Sequence, residues 1–258
     1  MSHSVPNERA HDAASFVGRH CVALLEPDSY AAGGVRMVGS GTLVRFRRRS
    51  FILTATHVWQ RLRKHDVIHF TMVRGMNHSS KVSREALKPY SLGDIAYQDL
   101  TPTSPDLTLL ELNPVDANLI ETRLSFMPLE KAFNARKDEL HQDILVAGAP
   151  GVLGKSEWDH LAFEIRGVFA KGEIREESDG DLDFIIIDPS QDADSPIKEW
   201  GGMSGGGLWL IDYFPKPDGG IDYDVFLLGV AFFQTGETIR CHSRKSIAKL
   251  ARAVLEAK

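Results

Sequence analysis

Short runs of apolar residues, separated by glycine, proline and charged residues, recur along most of this chain of 258 residues. Runs of this length bounded by turn-forming residues are typical of β-strands. They do not alternate with regular helical patterns, which favours barrels or a sandwich over a parallel α/β sheet. The sequence therefore predicts an all-β protein. The predicted strands are 22–25, 38–46, 51–55, 67–73, 107–112, 144–147, 161–174, 184–187, 208–213 and 225–233.

Four segments depart from this strand pattern. Residues 1–15 are small and polar, and we expect them to form a loose arm. The basic segment 45–49 lies between two apolar strands and is predicted to be a solvated hairpin turn rather than a phosphate-binding patch. A short helix is expected directly after His57, and another within the mixed, charged segment 126–143.

A C-terminal helix is predicted over residues 243–257. Apolar residues repeat there at the i, i+3, i+4, i+7 and i+8 spacing of one helix face, and Ser243 can serve as the N-cap. Such a face needs a partner, so we expect the helix to pack on the second half of the strands. The apolar residues of the face are Ile247, Leu250, Ala251, Val254 and Leu255.

Charge and cysteine content narrow the range of partners. A formal net charge of −5 argues against a nucleic-acid binder, which normally carries a basic excess. No apolar run approaches the ~18 residues of a membrane-spanning helix, and the N-terminus lacks the pattern of a signal peptide. Cys21 and Cys241 form no CxxC pair, so no zinc site is expected, while their pairing with each other stays open. So few cysteines favour a reducing compartment, and we expect a cytoplasmic protein.

The segment GGMSGGG, residues 201–207, surrounds the single serine Ser204 with five glycines and precedes an apolar run. A nucleophilic serine needs an exposed hydroxyl on a tight turn, with backbone N–H groups nearby to bind an oxyanion. Glycine allows the backbone angles that such a turn requires. The alternative interpretation is a glycine-rich loop with an incidental serine.

Two further residues stand at strand boundaries where they can assist such a serine. His57 follows a strand in LTATHV, and Asp106 precedes one in PDLTLLEL. A carboxylate that enters a buried strand needs a hydrogen-bond donor, and a histidine N–H is a suitable one. Each residue alone also fits a structural role, and Asp94 and Asp99 are competing acids in the same polar stretch.

Together, LTATHV, PDLTLLEL and GGMSGGG resemble the His, Asp and Ser blocks of the trypsin-like, or chymotrypsin-fold, serine proteases. The three residues occur in that order, 49 and 98 positions apart. VAGAPG at 146–151 resembles the start of the second barrel in stand-alone bacterial members, and LLGVAFF at 227–233 resembles the strand that lines the substrate cleft. The resemblance covers roughly residues 16–240.

The resemblance implies a specific architecture. We expect two packed six-stranded antiparallel β-barrels with a C-terminal α-helix. The N-terminal barrel would span 16–125 and the C-terminal barrel 140–240, and the helix would follow at 243–257.

The resemblance also implies an activity and a set of site residues. It indicates a serine endopeptidase that acts on a protein or peptide substrate without a metal or an organic cofactor. Ser204 would be the nucleophile, His57 the general base, and Asp106 the acid that orients the imidazole. The backbone N–H groups of Gly202 and Ser204 would form the oxyanion hole.

The sequence departs from the family pattern at two positions. Met203 stands where digestive members have an aspartate that pairs with a newly cut N-terminus, so activation of that kind is not expected and the loop must be held otherwise. Lys198 stands where enzymes that cut after Lys or Arg have an acid, so that preference is not expected. The substrate-binding residues implied for this pocket are Lys198, Phe232, Phe233 and His242. A cytoplasmic protease also needs restraint, which a regulatory partner protein can supply.

Two other functions are compatible with these motifs. Gly202-x-Ser204-x-Gly206 matches the nucleophile elbow of α/β-hydrolase esterases, in which a helix follows the serine. A protease fold can also serve as a catalytically inactive peptide-binding module, because a fold does not fix an activity.

Overall fold

Strands predominate over helices in the computed structural model of the chain. It describes residues 7–31, 34–71, 79–133, 142–149, 155–157, 160–162, 166–169, 174–189, 201–217, 220–236 and 238–256. No helix in these ranges is both long and apolar enough to cross a membrane.

The first sheet contains eight strands, of which seven run in the order β5-β4-β1-β2-β3-β7-β6. Neighbours in this order are antiparallel, and the short β8 adds to β2 in parallel. The strands are β1 (Cys21–Pro27), β2 (Val35–Phe46), β3 (Arg49–Thr54), β4 (Val67–Thr71), β5 (Ser79–Ser83), β6 (Lys88–Ser91), β7 (Thr108–Glu111) and β8 (Met127–Pro128).

The second sheet contains seven antiparallel strands in the order β12-β9-β15-β16-β17-β14-β13. A separate hairpin, β10 with β11, lies outside this order. The strands are β9 (Gln142–Gly148), β10 (Lys155–Glu157), β11 (His160–Ala162), β12 (Arg166–Phe169), β13 (Arg175–Asp179), β14 (Leu182–Ile187), β15 (Gly207–Pro215), β16 (Ile221–Thr235) and β17 (Thr238–Ser243).

The all-β class, the two antiparallel sheets and the C-terminal helix are confirmed. The described sheets have eight and seven strands, where the resemblance implied six for each barrel. Polar edge strands such as KPYS and REESD were not predicted, because they carry no apolar run that marks them. The predicted strand 161–174 does not form one element. Its described parts belong to different strands, β11 and β12, which pair with β10 and β9 respectively.

Five α-helices accompany the sheets in the described ranges. The predicted helix after His57 is α2, and α4 lies within the segment 126–143 where a short helix was expected. The third, α3, was not predicted; Asn113 caps it by accepting a hydrogen bond from the Asp116 backbone N–H. The helices are α1 (Asn7–Gly18), α2 (Thr56–Leu62), α3 (Pro114–Glu121), α4 (Leu129–Phe133) and α5 (Arg244–Glu256).

The prediction of a loose arm at 1–15 is wrong for residues 7–15, which form most of α1. Ala13 and Val17 are fully buried there. With Ala10 and Ala14 they give the i, i+3, i+4, i+7 spacing of a packed helix face. Because alanine is small, this face is only weakly apolar in the sequence, although it is sufficient to pack against the strands.

The turn between β2 and β3 has two residues, Arg47 and Arg48, both exposed and both with positive φ (47° and 66°). These angles fit a tight hairpin whose twist matches that of its strands. The solvated hairpin turn predicted for this basic segment is therefore confirmed. The next arginine, Arg49, does not point to solvent alone, since it donates hydrogen bonds to Glu111 and Tyr90.

A large hydrophobic core joins the two sheets. It combines residues of the first sheet, such as Phe51 and Leu53, with residues of the second sheet, such as Trp209 and Leu227. Helix α5 completes it as predicted, because Ile247, Leu250 and Val254 are buried in the same core and Leu255 packs against it. Ser243 Oγ accepts a hydrogen bond from the Lys245 backbone N–H at the start of α5, as an N-cap does. Cys21 and Cys241 are both buried and free.

Candidate active site

His57 and Asp106 form a closely bonded, buried pair. His57 lies in the first turn of α2, where β3 has just ended and backbone N–H groups lack helical acceptors. The carboxylate of Asp106 accepts the His57 backbone N–H at 2.8 Å and lies 2.6 Å from the ring Nδ1. His57 is 4% exposed and Asp106 is not exposed at all.

These contacts define the chemistry available to the ring. An ionised carboxylate can only accept hydrogen bonds, so Nδ1 carries the proton and Nε2 presents a lone pair. The competing acids are placed elsewhere: Asp99 is exposed, and Asp94 is exposed and contacts Gln60 and Arg63. Of the three acids, Asp106 is the one that contacts His57.

The backbone of Asp106 is anchored from the second sheet. Its N–H donates to His242 Nε2 at 3.1 Å and to the Ser104 carbonyl oxygen at 2.8 Å. His242 lies on β17, and its ring stacks on Phe232 with the ring centroids 4.3 Å apart. Burial lowers the pKa of His242 to about 4, so the ring is neutral at physiological pH and can accept this hydrogen bond.

His242 was implied as a wall of the substrate pocket, and this assignment stays a prediction. In the structure its side chain has no exposed area and accepts a hydrogen bond from the Asp106 backbone N–H. Phe232 is also buried, at 2% exposure, and its ring packs on His242 rather than lining an open surface. Phe233 is half-buried, and Lys198 lies outside the described residues.

Ser204 lies in a turn that only glycine fits well. Gly202 and Gly205 have φ of 93° and 91°, in the region that side chains disfavour. A Cβ at Gly205 would lie 2.0 Å from the Ser40 carbonyl oxygen and 2.4 Å from Thr54 Oγ1. The serine turn is therefore in close contact with β2 and with Thr54 at the end of β3. Thr54 lies two residues before the start of α2.

The hydroxyl of Ser204 is half-buried and lies 3.5 Å from the Phe232 carbonyl oxygen. Among the hydrogen bonds between described residues, this is the contact that its Oγ makes, and none joins it to His57. The two residues nevertheless approach the same part of β2. A Cβ at Gly39 would meet Val58, the neighbour of His57, at 2.5 Å and the Ser204 carbonyl oxygen at 3.0 Å.

Two hydroxyl residues of β2, Ser40 and Thr42, hold the serine turn in place, and we call this pair the β2 clamp. Ser40 donates its N–H to the Ser204 carbonyl oxygen and its Oγ to the Gly202 carbonyl oxygen, both at 2.7 Å. Its Oγ also accepts the Ala149 N–H at 2.8 Å. Thr42 Oγ1 donates to the Gly205 carbonyl oxygen at 3.1 Å. The sequence predicted a strand at 38–46 but did not indicate this role for Ser40.

Met203 is consistent with a loop held without an ion pair. Its side chain is 2% exposed and belongs to an apolar cluster of the second sheet with Val146 and Leu208. Because Met203 cannot form an ion pair, the serine loop needs another support. Among the described residues, that support is the buried Met203 side chain together with the β2 clamp.

The turn also offers backbone donors. Among the described residues, none accepts a hydrogen bond from the N–H of Gly202 or of Ser204. The assignment of these two N–H groups to an oxyanion hole stays a prediction.

Tyr97 stands next to the pair at the surface. Its ring lies 5.5 Å from that of His57, yet the side chain is 71% exposed. Nothing in the sequence marks Tyr97, a lone aromatic residue in a polar segment. It gives the solvent side of His57 an aromatic neighbour.

A cavity of about 690 Å³ is lined by residues from six strands of the second sheet, β9 and β13 to β17. Its described lining includes Ile144, Leu210 and Leu228, but not His57, Asp106 or Ser204. Within the described ranges, no group of three or more His, Cys, Asp and Glu side chains is arranged to hold a metal ion.

The α/β-hydrolase alternative does not fit this architecture. That motif requires a helix directly after the serine. Here the strand β15 begins at Gly207, and it lies within an antiparallel sheet.

No protein-family model and no curated protein matches the sequence. Among solved structures, the chain is similar to the MamO protease domain from Magnetospirillum magneticum in its apo form. The TM-score is 0.47 and the sequence identity 14%, over 91% of this chain and 96% of that chain. A likeness this remote says nothing about the chemistry of the site, which follows from the contacts of this chain's own residues.

Proposed function

We propose that this chain is a serine endopeptidase that hydrolyses peptide bonds through an acyl-enzyme on Ser204. The observation that carries the proposal is the pair of hydrogen bonds from His57 to the buried carboxylate of Asp106. This arrangement keeps the proton on Nδ1 and leaves Nε2 as a base, which is the function of the acid in a catalytic triad. A histidine held this way beside a glycine-bounded serine is suited to activating a hydroxyl.

The proposed reaction has two halves. Ser204 Oγ attacks the scissile carbonyl carbon while His57 Nε2 takes the hydroxyl proton, and the N–H groups of Gly202 and Ser204 bind the resulting oxyanion. His57 then gives that proton to the leaving amine, which departs and leaves the acyl-enzyme. Water next attacks the ester, with His57 again as base, and releases the acid product and free Ser204. Before the first step, the Ser204 hydroxyl breaks its hydrogen bond to the Phe232 carbonyl oxygen and donates to His57 Nε2 instead.

One observation favours a second candidate, a peptide-binding module without catalysis. The Ser204 hydroxyl contacts the Phe232 carbonyl oxygen rather than His57. If the hydroxyl stayed there with a peptide bound, the site would bind without cutting. Hydrogen bonds of catalytic groups are often long or misaligned before substrate binds, so this geometry leaves the endopeptidase as the better-supported candidate.

The remaining expectations belong to the same proposal. The substrate is a protein or peptide, cut at residues other than Lys or Arg because Lys198 would repel a like charge in the pocket. The enzyme acts in the cytoplasm, where a regulatory partner protein restrains it.

A fluorophosphonate probe and a mixed peptide library separate the two candidates. The wild-type protein should be labelled on Ser204 and should cleave the library, whereas Ser204→Ala should do neither and stay folded. Thr42→Ser is a matched control on β2, which contacts the turn, since it keeps the hydroxyl donor and should keep both activities. Peptide binding by wild type without labelling or cleavage would establish the binding module instead.

A further inference from the structure

His242 connects the second sheet to the acid of the candidate active site. Asp106 lies in the loop before β7 of the first sheet, and His242 lies 136 positions later on β17. The Asp106 backbone N–H donates to His242 Nε2 at 3.1 Å. The carboxylate of the same residue holds both the backbone and the ring of His57. A continuous chain of hydrogen bonds therefore runs from β17 to the general base.

Among the described residues, the His242 ring makes one hydrogen bond, in which it accepts the Asp106 backbone N–H. Phe232 stacks on it, and Phe184 lies 5.2 Å away between ring centroids. The charged groups that face it in the described chain are Asp106 and Arg240, and the Arg240 guanidinium pairs with Glu177. Because Nε2 accepts, Nδ1 carries the proton, and Nδ1 has no hydrogen-bond partner among the described residues. The bond to Asp106 is thus the polar contact that orients the ring.

We propose that His242 is a positioning residue that fixes the backbone of Asp106 and, through its carboxylate, the orientation of the His57 ring. This inference rests on the proposed function, because it gives His242 a task in the same reaction. His242 touches neither Ser204 nor the reacting atoms in this role. It acts through Asp106 alone.

The expected loss without His242 is partial. The Asp106 N–H keeps the Ser104 carbonyl oxygen as a second acceptor, two residues away within the same loop. That local bond does not tie the loop to the second sheet, so the carboxylate gains freedom to shift. A displacement of about 1 Å in a catalytic constellation costs about 10²-fold in rate.

Two variants of His242 separate its hydrogen bond from its packing. His242→Phe keeps an aromatic ring between Phe232 and Phe184 but removes the acceptor, and kcat should fall about 10- to 100-fold with KM changed less than about twofold. His242→Gln places an amide oxygen near the position of Nε2, and kcat should recover to within about fivefold of wild type. Equal kcat in wild type and His242→Phe, or equal losses in both variants, would overturn the proposal.

Nuclear magnetic resonance gives a test that needs no activity. In wild type at neutral pH, the ¹⁵N signals of His242 should show Nδ1 protonated and Nε2 bare. The low-field proton of His57 Nδ1–H should weaken in His242→Phe and return in His242→Gln. A wild-type His242 protonated on Nε2 would refute the proposal even if no variant folds. An inactive wild type that still shows these signals would reject the proposed function and keep the positioning role.

Discussion

The carboxylate of Asp106 bonds to His57 twice, once at the backbone N–H and once at ring Nδ1. Residue Ala55 at the N-cap position of α2 has no side chain that can cap the helix. Asp106 therefore supplies the acceptor that the helix start lacks and orients the ring at the same time. One buried carboxylate links the local fold to the chemistry of the site.

Asp106→Asn should abolish most activity while leaving the fold intact. The amide would offer an N–H to Nδ1 and favour the tautomer in which Nε2 carries the proton, so the base would be lost. We expect kcat to fall about 10⁴-fold near neutral pH, measured with a peptide that wild type cleaves. Asp94→Asn and Asp99→Asn are matched controls and should retain full activity. A large loss in Asp99→Asn instead would place the acid elsewhere.

Ser40→Ala tests the β2 clamp. The change removes the donor to the Gly202 carbonyl oxygen and the acceptor of the Ala149 N–H. Leaving a buried N–H unsatisfied should lower the free energy of unfolding by about 1–3 kcal/mol. The labelling rate of Ser204 by a fluorophosphonate should fall at least tenfold, because the turn loses its support. Thr42→Val removes a single bond of the clamp and should cost about 1 kcal/mol. A Ser40→Ala protein labelled at the wild-type rate would show that the turn holds itself.

Gly205→Ala should be severely destabilising. The added Cβ would sit 2.0 Å from the Ser40 carbonyl oxygen at a φ of 91°, so both the contact and the backbone angle oppose it. We expect the free energy of unfolding to fall by about 3 kcal/mol or more, measured by urea denaturation. Gly201→Ala is the control in the same turn: its Cβ meets no atom of the described residues within 4 Å, and the effect should stay within about 0.5 kcal/mol. Similar losses in both variants would contradict the contact.

Stability should fall as the pH falls from 6.5 to 4. Burial lowers the pKa of His20 and of His242 to about 4 in the folded protein, against 6.5 for a free histidine. In this window the unfolded chain binds more protons than the folded one, so the free energy of unfolding rises with pH and its full value is reached above pH 6.5. Between a pH above 6.5 and a pH below 4, each histidine should change the free energy of unfolding by about 3 kcal/mol.

His20→Asn isolates one of these contributions. The amide N–H can replace Nδ1–H as the donor to the Ser125 carbonyl oxygen, but asparagine does not titrate. Between pH 7 and pH 5, the variant should lose about 2 kcal/mol less than wild type in urea denaturation. Between pH 7 and pH 8 the difference between the two proteins should stay constant. Equal losses down to pH 5 would mean that His20 takes up its proton in the folded state.

The sequence was sufficient for the strands and for the residues with marked local patterns. Apolar runs predicted β2, β3, β14 and β15 because a strand buried on its faces must be apolar along its length. The sequence was not sufficient to predict α1, whose packed face consists largely of alanines, or the polar edge strands. These elements exist because of contacts with distant segments, which composition does not reveal.

Some residues of the candidate site could be predicted from the sequence, and the roles of others could not. His57, Asp106 and Ser204 stand in recognisable local patterns, and the structure brings His57 and Asp106 into contact. The role of Ser40 depends on a residue 162 positions away. The family resemblance placed His242 at a pocket wall, but its contact with the Asp106 backbone N–H depends on which side of the strand its ring lies. That side is decided by the pairing register, which the sequence does not state.

The long separation within the β2 clamp has a consequence for translation. Ser40 is synthesised 162 positions before Gly202, whereas His57 and Asp106 are only 49 positions apart. The base and its acid can meet while the chain is still growing, since domains of a nascent chain fold in order from the N-terminus. The serine turn finds its clamp only after nearly the whole second sheet has emerged. Under the proposed function, a nascent chain therefore carries the base without its nucleophile, which would spare the growing polypeptide and its neighbours on the polysome from cleavage.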